Sequence, residues 1–415
     1  MRVLVLNCGS SSLKVQLVDT DRARAAAGTD RVLARGLVDN IGAAAVLRYE
    51  TDDGRKKSES EEILEHKIAV ERVLALLADP EVGVVARREE VDAVGHRVVH
   101  GGERFKTSVR IDDEVLRGIE ACFDLAPLHN PPNVKGYRAA RELLGPDVPQ
   151  VAVFDTAFHQ TMPAEAYLYG IPYVLYERHG IRRYGFHGTS HRYVSARLAA
   201  RLGRRADDPE LRLVTCHLGN GCSVAAIRGG RSIDTSMGFT PLEGLVMGTR
   251  SGDMDPAILL YVMRKEELGP WEANALLNKH SGLIGISGVS NDMRQLLEAE
   301  ASGHARARMA VDVFCYRLAK YIAAYAAVLG GADAVAFAGG IGENAPVIRQ
   351  RVLSRLEALG LRVDEATNGV RGQETRISPE GARPEAWVVP TNEEILIARD
   401  TLHIATGEGA GPGAA

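Results

Sequence analysis

Two short turns contain the first residues of this chain that could do chemistry. They are Asn7-Cys8-Gly9-Ser10-Ser11-Ser12-Leu13-Lys14 and His217-Leu218-Gly219-Asn220-Gly221. A turn rich in glycine, serine or asparagine exposes backbone N–H groups to an anion, because glycine has no side chain to block the approach. Lys14 adds a point charge. Each turn could equally be a plain hairpin, and neither fits the G-x-x-x-x-G-K-[ST] loop or the G-x-G-x-x-G fingerprint. In Gly95-His96-Arg97-Val98-Val99-His100-Gly101-Gly102, an arginine follows an apolar run beside a glycine pair. Its guanidinium could grip a carboxylate or phosphate in a two-point fork, or simply make a surface salt bridge. Asp155 closes an apolar run over 151–154. Open α/β sheets bind ligands at such strand ends, though an aspartate there can also merely cap a turn.

Two further segments are denser. Tyr184-Gly185-Phe186-His187-Gly188-Thr189-Ser190-His191 has the H-x-x-x-H spacing of a metal pair on a helix face. Gly188 between the two histidines disfavours a helix through both. The preferred reading is a positioned histidine donor, with Thr189 or Ser190 as a helix N-cap. Met247-Gly248-Thr249-Arg250-Ser251-Gly252-Asp253-Met254-Asp255-Pro256 brackets one arginine with glycines and adds two acids. A rigidly held arginine suits a developing phosphoryl charge; a solvated polar loop is the alternative.

The elements that must hold these residues follow from apolar period and breakers. Short strands are expected over 3–6 and 14–18, 91–99, 151–154, 211–216, 223–228 and 334–337. A helix over 63–77 stops at Asp79-Pro80. Residues 129–133 read as a loop in which Asn133 caps a helix over 134–144. A long amphipathic helix over 306–329 ends at Gly330-Gly331. Pro346 suits a first helical turn, and a final helix follows Asn392-Glu393-Glu394. Residues 4–15 and 214–225 repeat one pattern: strand, polar residue, glycine-rich turn, strand. The repeat suggests a duplicated domain, although glycine turns are common in hairpins.

The bulk numbers bound the class. The chain has 415 residues, too many for one ordinary core. Its formal net charge of -4 argues against nucleic-acid binding, which needs a basic face. Five cysteines without C-x-x-C spacing predict neither a disulfide framework nor a zinc site, which fits a reducing cytoplasm. The N-terminus turns polar too soon for a signal peptide. No apolar run reaches membrane-spanning length. The glycine-rich tail over 408–415 is expected to be flexible.

Taken together, these segments resemble the acetate kinase family. The motifs that carry the resemblance are NCGSSSLK, GHRVVHGG, LAPLHNPPN, FDTAFH, YGFHGTSH, HLGNG, MGTRSGD, AFAGGIGENAP and PTNEE, in order along nearly the whole chain. The resemblance implies an α/β fold of two duplicated ribonuclease-H-like, actin-like ATPase domains with a nucleotide cleft between them. One would span 1–155, completed by a segment at about 392–407; the other would span 156–391. It implies reversible Mg²⁺-dependent (or Mn²⁺-dependent) transfer of the ATP γ-phosphoryl group to acetate, giving acetyl phosphate and ADP. It also implies a homodimer. Asn7 and Glu393 would help hold the metal, and Ser12 and Lys14 would sit near the phosphates. Arg97 and Arg250 would grip the carboxylate and the phosphoryl group, His187 would stabilise the transition state, and Asp155 is the residue the family labels catalytic. His217, Leu218, Gly219, Asn220 and Gly221 would cradle the nucleotide. Asp292, Met293 and Arg294, and Gly339, Gly340, Ile341, Gly342 and Glu343, would complete that cradle. Val99, Leu128, Phe186 and Pro241 would line the acyl pocket. A carboxylate acceptor is already anionic at neutral pH, so no base is required, and Asp155 is expected to orient Arg250, Mg²⁺ or a metal-bound water. Propionate or butyrate kinase is the near alternative; a non-enzymatic ATP-dependent switch is the distant one.

Overall fold

A computed structural model describes residues 1–407, so the tail expected over 408–415 lies outside the described residues. The chain forms two compact units, Met1–Phe158 with the segment from Asn392 onward, and His159–Thr391.

The first unit is built on an eight-stranded sheet. Its strands are β1 (Arg2–Cys8), β2 (Ser12–Asp19), β3 (Arg31–Asp39), β4 (Ala43–Thr51), β5 (Lys56–Ile63), β6 (Ala93–Val98), β7 (Val109–Arg110) and β8 (Gln150–Phe154). Their spatial order is β5-β4-β3-β2-β1-β6-β8-β7. β1 to β5 pair antiparallel in sequence, whereas β1, β6 and β8 are parallel. The alternation of a strand's side chains sorts them to two faces. Leu4, Leu6, Leu13, Val15 and Leu17 share one core with Val73, Leu74 and Leu77 of the helix His66–Leu77, and with Ala139 and Ala140 of the helix Asn130–Leu144. Val3, Val5 and Val18 pack the other face against Ile395, Ile397 and Ala398 of the helix Glu393–Ala405.

The second unit has six strands: β9 (Arg212–Leu218), β10 (Cys222–Arg228), β11 (Arg231–Thr235), β12 (Ala334–Ala338), β13 (Thr375–Arg376) and β14 (Glu385–Val388). Their order is β11-β10-β9-β12-β14-β13. β9 to β11 are antiparallel neighbours, and β9, β12 and β14 are parallel. Helices Gly188–Arg201 and Ala305–Val328 pack on this sheet. The six strands of the second sheet therefore match β3-β2-β1-β6-β8-β7 of the first in order and direction, which is the duplication suggested by the repeated turns. The mixed α/β class is as expected.

Several boundaries differ from expectation. Ile63 ends β5, and the helix begins at His66. The helix expected from Val134 starts at Asn130, with Pro131 and Pro132 in its first turn, where no intrahelical N–H partner is lost. Asn133 is therefore not a cap. The helix through the second histidine motif runs from Gly188, and its N-cap is His187, not Thr189 or Ser190. Gly330 and Gly331 do follow the long helix with positive φ, and their N–H groups bond back to Ala327 and Ala326. All five cysteines are buried free thiols. Among the described residues no helix is long and apolar enough to cross a membrane.

One contact ties this packing to the site. A Cβ at Gly95 of β6 would stand 2.5 Å from Thr401 Oγ1 and 2.6 Å from Ile397 Cγ2. Only glycine lets the Glu393–Ala405 helix seat so closely on β6. Gly95→Ala should cost about 1–3 kcal/mol by overpacking, measured as a lower urea midpoint with an unchanged m-value.

Candidate active site

In the first unit, Asn7, Arg97 and Asp155 come from the carboxyl ends of the adjacent parallel strands β1, β6 and β8. Arg97 Nε donates to Asp155 Oδ1 at 2.9 Å, and its Nη2 donates to Asp155 Oδ2, a two-point ion pair. Nη1 donates to Asn7 Oδ1 at 3.2 Å. The Asp155 side chain is 2% exposed. Glu393, the first residue of its helix, reaches within 3.9 Å of Arg97 Nε. Burial works against the Arg97 charge, but Asp155 and Glu393 outweigh it and raise its pKa. Burial pushes the Glu393 carboxyl up to about 7; Arg97 opposes that rise, and the nearby Asp155 carboxylate adds to it. Lys14 pairs with Asn7 across the β1–β2 hairpin and is exposed, and Ser12 starts β2. Val99 is buried just beyond β6, whereas Leu128 is 62% exposed.

Asn133 and Asn130 clamp the strand ends. Asn133 Oδ1 accepts from the Val99 N–H at 3.1 Å, and its Nδ2 donates to the Cys8 carbonyl at 2.7 Å. Asn130 exchanges both bonds with the His100 backbone, at 3.0 and 2.9 Å. Sequence reasoning missed these roles. The signal was two asparagines three apart, which on a helix face the same side.

In the second unit, His187 has φ 57° and ψ 24°, the left-handed conformation that histidine tolerates better than most residues. Its ring lies 4.2 Å from the His217 ring. A Cβ at Gly221 would stand 3.4 Å from Arg250 Nη1 and 3.6 Å from His187 Nε2, so Gly221 opens the space these two groups share. Arg250 Nη1 donates to the Pro241 carbonyl at 3.2 Å. Among the described residues no carboxylate pairs with Arg250, and burial lowers its pKa. The acids of its segment are occupied elsewhere. Asp253 accepts from the Gly244 N–H and from Tyr321, and Asp255 caps the helix Pro256–Lys265.

The expected nucleotide residues are partly brought together. Ala338 pairs with His217, so Gly339 continues beside Leu218; its φ is 74°, and a Cβ there would meet Leu218 backbone atoms at 2.8–2.9 Å. Glu343 Oε1 accepts from the N–H groups of Gly339 and Thr391. Behind this turn, buried Arg349 donates to the carbonyls of Gly342, Glu343, Asn368 and Val370. Sequence reasoning missed that buttress too. Asn220 Oδ1 accepts from Asn291 Nδ2 at 3.2 Å, which places Asp292, the N-cap of Met293–Ala301, beside the hairpin; Arg294 folds back onto Asp292. The two histidines of the H-x-x-x-H spacing share the Ser223 hydroxyl. Phe186 is buried and Pro241 half-buried in this unit.

The acetokinase family model matches residues 2–399. The chain belongs to the acetokinase family. It is 55% identical over 405 residues to the acetate kinase of Desulfitobacterium hafniense strain Y51, covering 97% of this chain and 99% of that protein. The crystal structure of Porphyromonas gingivalis acetate kinase superposes with a TM-score of 0.91 at 47% identity, covering 97% of this chain and 99% of that one. A propionate kinase from Francisella tularensis superposes with 0.87 at 42% identity, covering 96% and 98%. In this family frame, the residues that clamp the strand ends merit the same weight as the ionic ones. Asn133→Ala leaves a buried N–H and a buried carbonyl unmet, and should cost about 2 kcal/mol, read as a drop in the unfolding midpoint.

Proposed function

We propose that this chain is an acetate kinase, transferring the γ-phosphoryl group of ATP to acetate. The observation that carries the reading is Arg250: a partly buried guanidinium with no carboxylate partner among the described residues, facing a glycine-opened space beside His187. A cation held in this way is short of an anion, and a phosphoryl group in transfer supplies one.

The chemistry asks for positioning and charge. Acetate is an anion at neutral pH, so the barrier is the approach of two anions. Arg250 and His187 donate to the phosphoryl oxygens. Arg97 keeps one N–H on each terminal nitrogen beyond its bonds to Asp155 and Asn7, enough to take a carboxylate. Asp155 accepts one bond on each oxygen from Arg97, where the sequence reading expects Arg250 as its arginine partner, and acts as the Arg97 orienter; an acceptor that is already anionic gives it no proton to take. Val99, Leu128, Phe186 and Pro241 are proposed to contact the acyl group. The hairpin His217–Gly221, the turn Gly339–Glu343 and Asp292–Arg294 are proposed to hold the nucleotide, with Ser12 and Lys14 toward its phosphates.

The donor set fits Mg²⁺, or Mn²⁺: the oxygens of Asn7 and Glu393 are hard ligands, and a nearby cation would offset the burial, and after it the neighbouring Asp155 carboxylate, that lifts the Glu393 carboxyl to about 7. When bound, the metal neutralises phosphate charge. The division into a domain over 1–155 closed by 392–407 and another over 156–391 belongs to the same reading, as does a cytoplasmic setting, which the buried free thiols favour.

A homodimer is proposed from the surface of the second unit. The helix Pro256–Lys265 buries none of its residues, although it is largely apolar, and Leu260 and Trp271 are 71% and 83% exposed. Monomeric surfaces seldom leave so much apolar area open.

Trapping the acyl phosphate with hydroxylamine should show turnover on ATP, Mg²⁺ and acetate. Arg250→Ala should lower kcat by about 10³-fold or more with its unfolding midpoint kept, and near-normal turnover would sink the assignment. Propionate is the second acceptor to measure, given the likeness to the Francisella propionate kinase. Separately, Leu260→Glu combined with Trp271→Ala should convert a dimer to a monomer in sedimentation; an unchanged dimer would place the interface elsewhere.

A further inference from the structure

A row of buried hydroxyls and imidazoles runs behind His187. His187 Nδ1 lies 2.9 Å from Ser223 Oγ, that oxygen lies 2.7 Å from His191 Nε2, and His191 Nδ1 lies 2.7 Å from Thr215 Oγ1. Ser223, His191 and Thr215 are all buried. Burial, with His159 and His217 nearby, holds the His191 pKa well below its ordinary value, so this ring is neutral and carries one N–H.

The protons in this row can be counted. Ser223 has one proton and two imidazole neighbours; accepting from both would leave its own buried proton unmet, so it donates to one and accepts from the other. That leaves two orders. In the first, His187 Nδ1–H donates to Ser223, Ser223 donates to His191 Nε2, and His191 Nδ1–H donates to Thr215. The Thr215 hydroxyl proton then has no acceptor among the described residues, where the hydrogen-bond partner of that hydroxyl is His191 Nδ1. In the second, Thr215 donates to His191 Nδ1, His191 Nε2–H donates to Ser223, and Ser223 donates to His187 Nδ1. Every hydroxyl proton of the row then has an acceptor, the remaining His187 Nε2–H lies at the partly exposed end beside the space at Gly221, and only a spare lone pair on Thr215 goes unused. An unmet buried donor forfeits a whole hydrogen bond, so the second order prevails.

We infer that Thr215, His191 and Ser223 are positioning residues that fix the tautomer of His187, so that its neutral ring carries the proton on Nε2, the nitrogen facing Gly221 beside Arg250. His187 is then a hydrogen-bond donor without needing a charge of its own next to the Arg250 guanidinium. Its left-handed backbone, at the start of the helix that carries His191, keeps the ring in line with Ser223. The inference rests on the proposed role of His187 as a phosphoryl donor, but its first test does not depend on activity.

NMR of the protein with isotope-labelled histidine should show His187 protonated at Nε2 and bare at Nδ1. Thr215→Val, which keeps the shape and removes the hydroxyl, should give a mixture of tautomers at His187. The same variant should lower kcat about fivefold, the rate equivalent of one lost hydrogen bond, with KM for ATP and acetate unchanged. Thr215→Ser should restore both readouts. Ser223→Ala should lower kcat further and tests the same row if Thr215→Val folds poorly. A proton on His187 Nδ1 in the unaltered protein overturns the inference, as does a Thr215→Val enzyme that matches the unaltered one in spectrum and kcat, or one that changes KM alone. Full turnover in His187→Ala would instead overturn the donor role while leaving the tautomer result standing.

Discussion

The ion pair between Arg97 and Asp155 joins the ends of two parallel strands, and much of the first unit is arranged to let it exist. A guanidinium taken partly out of water must be answered, or its burial is costly. Here Asp155 answers with both oxygens and Asn7 with its amide oxygen, all three groups at the same end of one sheet. The clamps at Asn130 and Asn133 hold the backbone that presents them, and Gly95 lets the Glu393 helix close on the same strand. Two other arginines show the same rule met differently. Arg349, fully buried, is answered by backbone carbonyls and Asn368, and so becomes a rigid support. Arg250 is answered by a single carbonyl at 3.2 Å and no carboxylate among the described residues. The contrast separates an arginine that builds structure from one left with charge to offer a ligand.

The duplicated strand order gives each unit a hairpin at the same place but not the same chemistry. Asn7 faces Lys14 across the first hairpin, and His217 faces Ser223 across the second. One pair presents an amide and an exposed cation. The other presents groups that can exchange hydrogen bonds. A parallel strand follows on the far side of each leading strand, β6 beside β1 and β12 beside β9. The first delivers Arg97, and the second delivers the Gly339 turn. A shared backbone therefore carries two distinct sets of polar groups, set by a few residues at strand ends.

Those strand ends were legible in the sequence, because an apolar run that stops at a polar residue and a glycine has few other meanings. The strands β3 to β5 were not read. β5 alternates exposed and half-buried polar residues with no apolar run, and the apolar stretches of β3 and β4, over 32–34 and 43–47, are short or alanine-rich and lead into charged residues. Helix starts misled for a local reason. Asn133 looks like a cap from its neighbours, but its side chain is used by Cys8 and Val99, far away in the chain. Gly188 does mark a break, since the helix starts there and leaves His187 outside it in a left-handed conformation; what was misread was the cap, which is His187 and not Thr189 or Ser190. Ser223 and Thr215 could not be singled out at all, since a polar residue in a strand usually faces water, and only the third dimension shows that these face a helix.

That last point has a physical consequence. Thr215 and His217 lie two apart on β9, and Ser223 sits opposite His217, so the three share one face of the second sheet. The helix over that face buries Gly188, Thr189, Ser190 and His191 in its first turn. A sheet–helix seam of this kind is ordinarily filled with aliphatic side chains, which need no partners. Here it is polar, and a buried polar seam is stable only when its members are satisfied together. Ser190 bonds to both His217 Nδ1 and the Thr391 hydroxyl, as Ser223 does to two imidazoles. Each serine can meet its neighbours in only a limited set of proton arrangements. The seam thus restricts which nitrogen of each histidine is free to act outward. An aliphatic seam could hold the rings in place, but it could not choose their protons.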